Sequence, residues 1–233
     1  MNYQPYIKFS KAIAAGILML AITACSESSD NDGPLVDPEV IKTQEAAALA
    51  EAEKFAEAAG GQGTWGDIVY GDPNAALAVI EYASFTCPAC ANFAINIFPK
   101  IKENYIDTGK IKFVYRNLVR DQYDMAASSI ARCRTPDVAK RLTSVFFERQ
   151  RDWVSAQDKI AGLANLARRA AGMSRIQVDR CSANTDMQQH LVKMTQGAAT
   201  RYNASATPTI IVDGSKLDVA SWENIKAAID ARL

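Results

Sequence analysis

Two cysteines, Cys87 and Cys90, enclose a proline and an alanine just after an apolar run, Leu77–Ala83, and before a stretch with helical spacing. Two thiols at this spacing can close a small disulfide ring and open it again. At the start of a helix the first sulfur would lie among unpaired backbone N–H groups at the positive end of the helix dipole, and both favour the thiolate. Because the thiolate is the nucleophile of disulfide exchange, the spacing predicts a redox-active dithiol.

The overall composition indicates a globular protein without a nucleic-acid partner. The chain has 233 residues, 48% of them hydrophobic, so it can bury a full core and is predicted to form one domain once the N-terminus is set aside. Its 26 basic residues balance 26 acidic ones without a basic tract, which argues against nucleic-acid binding. No apolar run reaches about twenty residues, so a membrane-spanning helix is not expected.

The N-terminus has the pattern of a targeting segment. Lys8 and Lys11 precede an apolar stretch over residues 12–24, which has the length of a signal-peptide core. The stretch ends in Ile-Thr-Ala-Cys, which resembles a bacterial lipobox, and the resemblance implies a lipoprotein signal peptide over 1–24 and lipidation of Cys25. Ordinary signal cleavage nearby, with Cys25 discarded or left as a free thiol, is the alternative. Residues 25–64 are predicted to be a polar tether followed by an Ala/Glu-rich helix over 44–59, which is expected to be a surface helix or a spacer.

Two further cysteines, Cys133 and Cys181, are predicted to pair. Export implies an oxidising compartment, where disulfides persist. With Cys25 at the lipid anchor and the close pair forming one ring, these two remain as partners for each other. Closing a loop of this length stabilises a fold by about 4 kcal/mol in the chain-entropy model. The alternative is a pair of buried free thiols.

The order of elements predicts an α/β fold. A strand, the dithiol, a helix over 87–105 capped by Thr86 and bent at Pro99, and a second strand over 111–116 form a βαβ unit. Strand 209–212, a turn, a short strand and a final helix form a ββα unit. A helical block over about 118–201 separates them, with helices predicted over 122–134, 137–151, 157–171, 174–184 and 186–202. This arrangement predicts a thioredoxin-like fold with an inserted α-helical subdomain over residues 65–233.

Two segments, VIEYASFTCPACANF and NASATPTIIVDG, resemble the active-site strand and the cis-proline loop of DsbA-like thiol-disulfide oxidoreductases. The resemblance implies that Cys87 is the nucleophile and Cys90 the buried resolving cysteine. It also implies a cis peptide bond between Thr207 and Pro208, which lets Thr207 present its backbone to an extended substrate. An ordinary trans turn at a strand start is the alternative for Pro208.

Three other positions bear on the chemistry. Glu81 lies in an otherwise apolar strand and resembles the family's buried acid beneath the dithiol, suited to moving a proton to or from Cys90. The alternative is a solvent-facing or lysine-paired carboxylate. Ala89 stands where strongly oxidising relatives often carry His, so a milder oxidant is expected. The single histidine, His190, is predicted to be a surface or packing residue rather than a catalytic one.

The resemblance implies an enzyme on the periplasmic face of a bacterial cell envelope, held there by its lipid. It would introduce disulfides into exported proteins with free thiols and be reoxidised by a membrane quinone-linked partner. It needs no organic cofactor, and the cysteines and single histidine do not supply the ligands of a zinc site. The alternatives are a disulfide reductase or isomerase of the same fold, and a non-enzymatic, lipid-tethered peptide-binding module.

Overall fold

The computed structural model describes residues 37–58 and 63–233. The predicted signal peptide, the lipidation site Cys25 and most of the predicted tether lie outside the described residues. Within the described part of the chain, no helix has both the length and the apolar character needed to cross a membrane.

The described residues build a mixed sheet of five strands in the order β1-β3-β2-β4-β5. The strands are β1 (Ile68–Tyr70), β2 (Leu77–Ala83), β3 (Ile111–Asn117), β4 (Thr209–Val212) and β5 (Ser215–Lys216). β2 lies parallel to β3 and antiparallel to β4, so the apolar run before the dithiol is the central strand, as its composition predicts. The final helix α10 (Trp222–Asp230) packs on this sheet with Ser221 as its N-cap.

The segment after β2 differs from the single kinked helix predicted over 87–105. α2 (Pro88–Asn96) and α3 (Phe98–Ile101) are separate, and a π-helical turn, Lys102–Ile106, follows them. Pro99 lies in the first turn of α3, where a backbone N–H has no acceptor within the helix, so the N–H that proline lacks is not needed. The predicted cap was also wrong, because Cys87 itself is the N-cap residue of α2 and the Thr86 hydroxyl bonds to Asp121 instead.

The helical insertion lies between β3 and β4, as the sequence predicts. Its helices are α4 (Gln122–Arg132), α5 (Pro136–Glu148), α6 (Gln150–Val154), α7 (Lys159–Ala171), α8 (Arg175–Ser182) and α9 (Thr185–Tyr202). The predicted helix over 137–151 is divided, because Arg149 leaves the helical conformation at φ −108° and ψ 25°. The break redirects the chain so that α6 packs against α7 and the active-site loop.

His190 lies on α9 and is a packing residue. It is buried with an edge-to-face contact to Trp65, the ring centroids 5.7 Å apart. Burial and the nearby Arg132 guanidinium lower the pKa of His190 to about 4, so the imidazole is neutral at neutral pH.

Cys133 and Cys181 are joined by a disulfide that links the end of α4 to α8. The bond closes a loop across 48 positions of sequence, and Cys181 belongs to the core cluster that also contains Cys87 and Cys90. The cross-link therefore joins two helices of the insertion through the core that they share with the dithiol.

Removing this cross-link is expected to destabilise the protein without abolishing exchange at the dithiol. The double variant Cys133→Ala/Cys181→Ala should unfold with a free energy about 4 kcal/mol lower, because the unfolded chain regains the entropy that the loop removes. Urea denaturation of the oxidised proteins measures the difference. Unchanged stability would show that the cross-link does not constrain the unfolded chain.

The helix α1 (Pro38–Ala58) is packed against the domain and begins before the predicted start at residue 44. Its Glu45 carboxylate accepts hydrogen bonds from the Arg116 guanidinium at 2.6 and 2.8 Å and lies 3.1 Å from Nε of Arg201 on α9. The buried Arg116 thus has its charge compensated partly by α1, so this helix is an integral part of the fold rather than a spacer.

Candidate active site

The dithiol lies at the N-terminus of α2. Cys87 has an extended conformation, with φ −85° and ψ 118°, and Pro88 occupies the first turn, where its fixed φ suits a helix start. Cys87 is 4% exposed and Cys90 is fully buried, whereas Pro88 and Ala89 between them are exposed. The structure therefore presents the first sulfur at the edge of the surface and keeps the second beneath it.

The surroundings of Cys87 favour its thiolate. A hydrogen bond from the Cys90 thiol lowers the pKa of Cys87 most, and the backbone N–H groups of Cys90 and Ala89 add to the effect. Together they outweigh burial and bring the pKa of Cys87 to about 5. Ala89 contributes through its backbone alone, since its methyl group offers no donor.

The Thr207–Pro208 peptide bond is cis and lies beside the dithiol. In the protonated form the Cys87 thiol donates to the Thr207 carbonyl oxygen, with Sγ and O 3.3 Å apart. The structure thus brings Thr207, 120 positions away in sequence, into contact with the first cysteine, and Pro208 follows it directly.

Cys90 and Glu81 form the buried half of the site. The hydrogen bond to Cys87, burial and the Glu81 charge raise the pKa of Cys90 far above its usual value. Burial, and then the charge of Cys87, raises the pKa of Glu81 to about 8. Glu81 is 4% exposed, so the solvent-facing alternative is wrong. At neutral pH a carboxyl group with this pKa carries a proton that it can give to a nearby base.

A small cavity of about 30 Å³ adjoins Glu81. Its wall includes Thr143 of α5, and neither Glu81 Oε1 nor Thr143 Oγ1 has a hydrogen-bond partner among the described residues. The walls are otherwise mostly apolar, so these two oxygens are the groups that could hold a water molecule in a space of this size.

The aromatic residues near the dithiol belong to the core. Phe85 and Phe93 are both buried, at 0% and 1% exposure, so neither forms part of an exposed substrate-binding surface. Phe85 packs on Phe147 and Phe146 of α5, with ring centroids 4.7 and 5.7 Å away. The Phe85 side chain therefore anchors the loop before Cys87 in the helical insertion.

Sequence reasoning missed two buried polar residues of the insertion, Asp124 and Gln150. Asp124 accepts a hydrogen bond from the Phe85 N–H at 2.8 Å, and burial raises its pKa to about 6. Gln150 donates to the carbonyl oxygens of Phe85 and Cys87. Neither residue follows a recognisable motif, since an Asp in a first helical turn and a Gln at a helix start are usually explained by local capping.

The titration of Cys87 can be measured directly. In the reduced protein, the rate of Cys87 alkylation by iodoacetamide is expected to follow a titration with its midpoint at about pH 5. The Cys87→Ser variant gives the background from other groups. A midpoint near 9.0, the usual value for a thiol, would contradict the stabilisation of the thiolate by the helix start and Cys90.

A central strand that leads into a helix-capping cysteine, a buried partner thiol and an opposing cis-proline define a dithiol site of the thioredoxin-like fold, here with a helical insertion. Residues 64–231 match the thioredoxin family, and the chain belongs to that family. Within it, the chain is a member of the DsbA-like thiol-disulfide oxidoreductases.

The similar proteins carry names consistent with this class. A Rickettsia bellii protein named as a protein-disulfide oxidoreductase is 30% identical over 164 residues, which cover 70% of this chain and 63% of that protein. The chain thus spans less than two thirds of that relative's length. Among solved structures, a protein-disulfide isomerase from Novosphingobium aromaticivorans is 29% identical with a TM-score of 0.63, covering 72% of this chain and 97% of that one. Alpha-DsbA1 of Wolbachia pipientis is 25% identical with a TM-score of 0.64, covering 71% of this chain and 89% of that one.

Proposed function

We propose that the protein is a thiol-disulfide oxidoreductase that introduces disulfides into exported proteins through Cys87 and Cys90. The observation that carries the proposal is the environment of Cys87, whose thiolate is stabilised by Cys90 and the start of α2. Stabilising the thiolate stabilises the reduced protein relative to its disulfide. The disulfide is therefore a stronger oxidant than one formed by two ordinary thiols.

The reaction begins when a substrate thiolate attacks Cys87 Sγ and breaks the bond between Cys87 and Cys90. The leaving Cys90 sulfur has a strongly raised pKa and takes a proton, for which the protonated Glu81 is the nearby donor. A second substrate thiolate then attacks the substrate sulfur of the mixed disulfide and releases Cys87 as a thiolate. The substrate gains a disulfide, and the protein holds both electrons as a dithiol.

The substrate of this reaction is an exported protein with free thiols, bound in an extended form beside the Thr207 backbone. The carbonyl oxygen of Thr207 lies 3.3 Å from Cys87 Sγ, so a strand placed along it would bring its own sulfur to the dithiol. A quinone-linked membrane protein is the proposed oxidant that restores the disulfide. Lipid attachment at Cys25 would hold the enzyme on the periplasmic face of the cell envelope.

The competing role is reduction or isomerisation, which requires the dithiol to stay reduced. Ala89 favours it, because this exposed side chain offers no donor to the Cys87 thiolate. One structural relative carries the name protein-disulfide isomerase. The two roles differ in reduction potential, which makes that potential the deciding quantity.

The test is to equilibrate the protein with glutathione buffers and quantify its reduced fraction. We expect a reduction potential well above that of thioredoxin, which is about −270 mV. A value close to thioredoxin's would overturn the oxidase role in favour of the reductase or isomerase. If the protein did not exchange with glutathione at all, both redox roles would be overturned, and the peptide-binding module would be the remaining interpretation.

A further inference from the structure

The loop between β2 and α2 is fastened to the helical insertion by side chains that the exchange reaction itself does not use. The Phe85 N–H donates to Asp124 Oδ1 at 2.8 Å, and the Thr86 hydroxyl donates to Asp121 Oδ2 at 2.6 Å. Asp121 is also the N-cap of α4, where it accepts from the N–H groups of Tyr123 and Asp124. The start of α4 and the loop before Cys87 are therefore held together.

Gln150 adds the contact that reaches the cysteine. It is 6% exposed, and its Nε2 donates to the Phe85 carbonyl oxygen at 2.8 Å and to the Cys87 carbonyl oxygen at 2.9 Å. An amide group has two N–H donors, so both bonds can form at once. Gln150 lies at the start of α6, immediately after the break that separates α6 from α5.

These contacts fix which backbone groups face the Cys87 sulfur. Gln150 donates to the Phe85 carbonyl oxygen and, together with the Ala91 N–H of α2, to the Cys87 carbonyl oxygen, so the negative ends of both carbonyls, which would oppose a thiolate, are directed to these donors. Asp124 fixes the opposite side of the same loop through the Phe85 N–H. The N–H groups of Ala89 and Cys90 therefore remain the backbone groups that donate to the Cys87 sulfur.

We propose that Gln150, supported by Asp124 and Asp121, is the positioning residue through which the helical insertion sets the reactivity of Cys87. The insertion thus tunes the dithiol across 63 positions of sequence as well as supporting the fold. The inference rests on the proposed function, since it concerns the exchange reaction at the same cysteines.

The first test replaces Gln150 with Met, which keeps the length of the side chain and removes both donors. We expect the pKa of Cys87, measured by the pH dependence of alkylation, to rise by roughly one unit. The reduced form loses stabilisation, so the equilibrium constant with glutathione should shift about tenfold toward the protein disulfide, or roughly 30 mV.

The matched control is Trp153→Phe in the same helix. Trp153 Nε1 donates to the Phe146 carbonyl oxygen at 2.9 Å, so this variant also loses one buried hydrogen bond of α6 but none to the loop. It should lower the melting temperature and leave the pKa and the glutathione equilibrium unchanged. A purely structural role for Gln150 predicts that the two variants behave alike.

A second variant, Thr86→Val, tests the same coupling at a partly exposed position. It removes the hydroxyl that bonds to Asp121 and contacts Ser84 Oγ at 3.2 Å, and it should shift the glutathione equilibrium in the same direction by a smaller factor. If Gln150→Met kept the wild-type pKa of Cys87 and the wild-type glutathione equilibrium, the inference would be overturned. If the Met variant does not fold, a wild-type glutathione equilibrium in Thr86→Val would overturn it instead. A wild-type protein without exchange activity would instead overturn the proposed function.

Discussion

Replacing Cys87 by Ser is expected to abolish disulfide transfer to a reduced two-cysteine peptide, down to the rate without enzyme. A serine oxygen cannot form the mixed disulfide, and Cys90 cannot substitute for Cys87 because it is fully buried with a strongly raised pKa. The measurement is the oxidation of the peptide by stoichiometric oxidised enzyme, or by catalytic enzyme with glutathione disulfide.

Cys90→Ser distinguishes the roles of the two cysteines. Cys87 remains at the surface edge in this variant, so it should still attack a peptide disulfide and then accumulate as a mixed disulfide, visible by mass spectrometry. The Cys133→Ala/Cys181→Ala variant is the control for loss of cysteines outside the dithiol and should transfer disulfides at close to the wild-type rate. If Cys87→Ser kept the wild-type rate, the dithiol would be structural and the protein a binding module.

The strands and the site cysteines could be predicted from the sequence because their signals are local. The apolar run Leu77–Ala83 is buried on both faces of the sheet and has the composition of a central strand. The position of the insertion followed from the change from strand to helical spacing after β3. These features depend on the pattern of neighbouring residues, which one sequence contains in full.

What could not be predicted depends on contacts between distant residues. Thr86 has the right chemistry for an N-cap, but its hydroxyl has a better acceptor in Asp121, 35 positions away. The packing of α1 depends on Glu45 reaching Arg116 and Arg201, which no local pattern indicates. Gln150 becomes part of the site only because α6 is separated from α5 and turned toward the loop.

Together these contacts divide the site between two parts of the chain. The thioredoxin-like part supplies the dithiol, the cis-proline and Glu81, and the insertion supplies the side chains that hold the loop before Cys87. Within this division Glu81 is the group placed to move the proton. Its charge raises the pKa of Cys90, and the charge of Cys87 in turn raises the pKa of Glu81, whereas the pKa of Cys87 is lowered mainly by hydrogen bonds.

Glu81→Gln is therefore expected to slow the step in which Cys90 leaves, by about a hundredfold, the typical lower range for loss of a general acid. With a pKa of about 8, Glu81 is protonated at neutral pH and can donate, and it loses this capacity as the pH rises through that value. The ratio of wild-type to variant rates should thus be large at neutral pH and approach one in alkaline solution. Stopped-flow fluorescence during reduction by a small thiol measures both rates.

Stability gives an independent check on the same group. Because burial raises the pKa of Glu81 in the folded protein from 4.5 to about 8, the unfolded state binds fewer protons between these values. The wild-type protein should therefore lose stability relative to Glu81→Gln as the pH rises through this window, by roughly 5 kcal/mol at most, with no further loss above it. Denaturation of both proteins across this range measures the difference. A constant difference would mean that Glu81 does not titrate there, and the proton for Cys90 would then have to come from solvent.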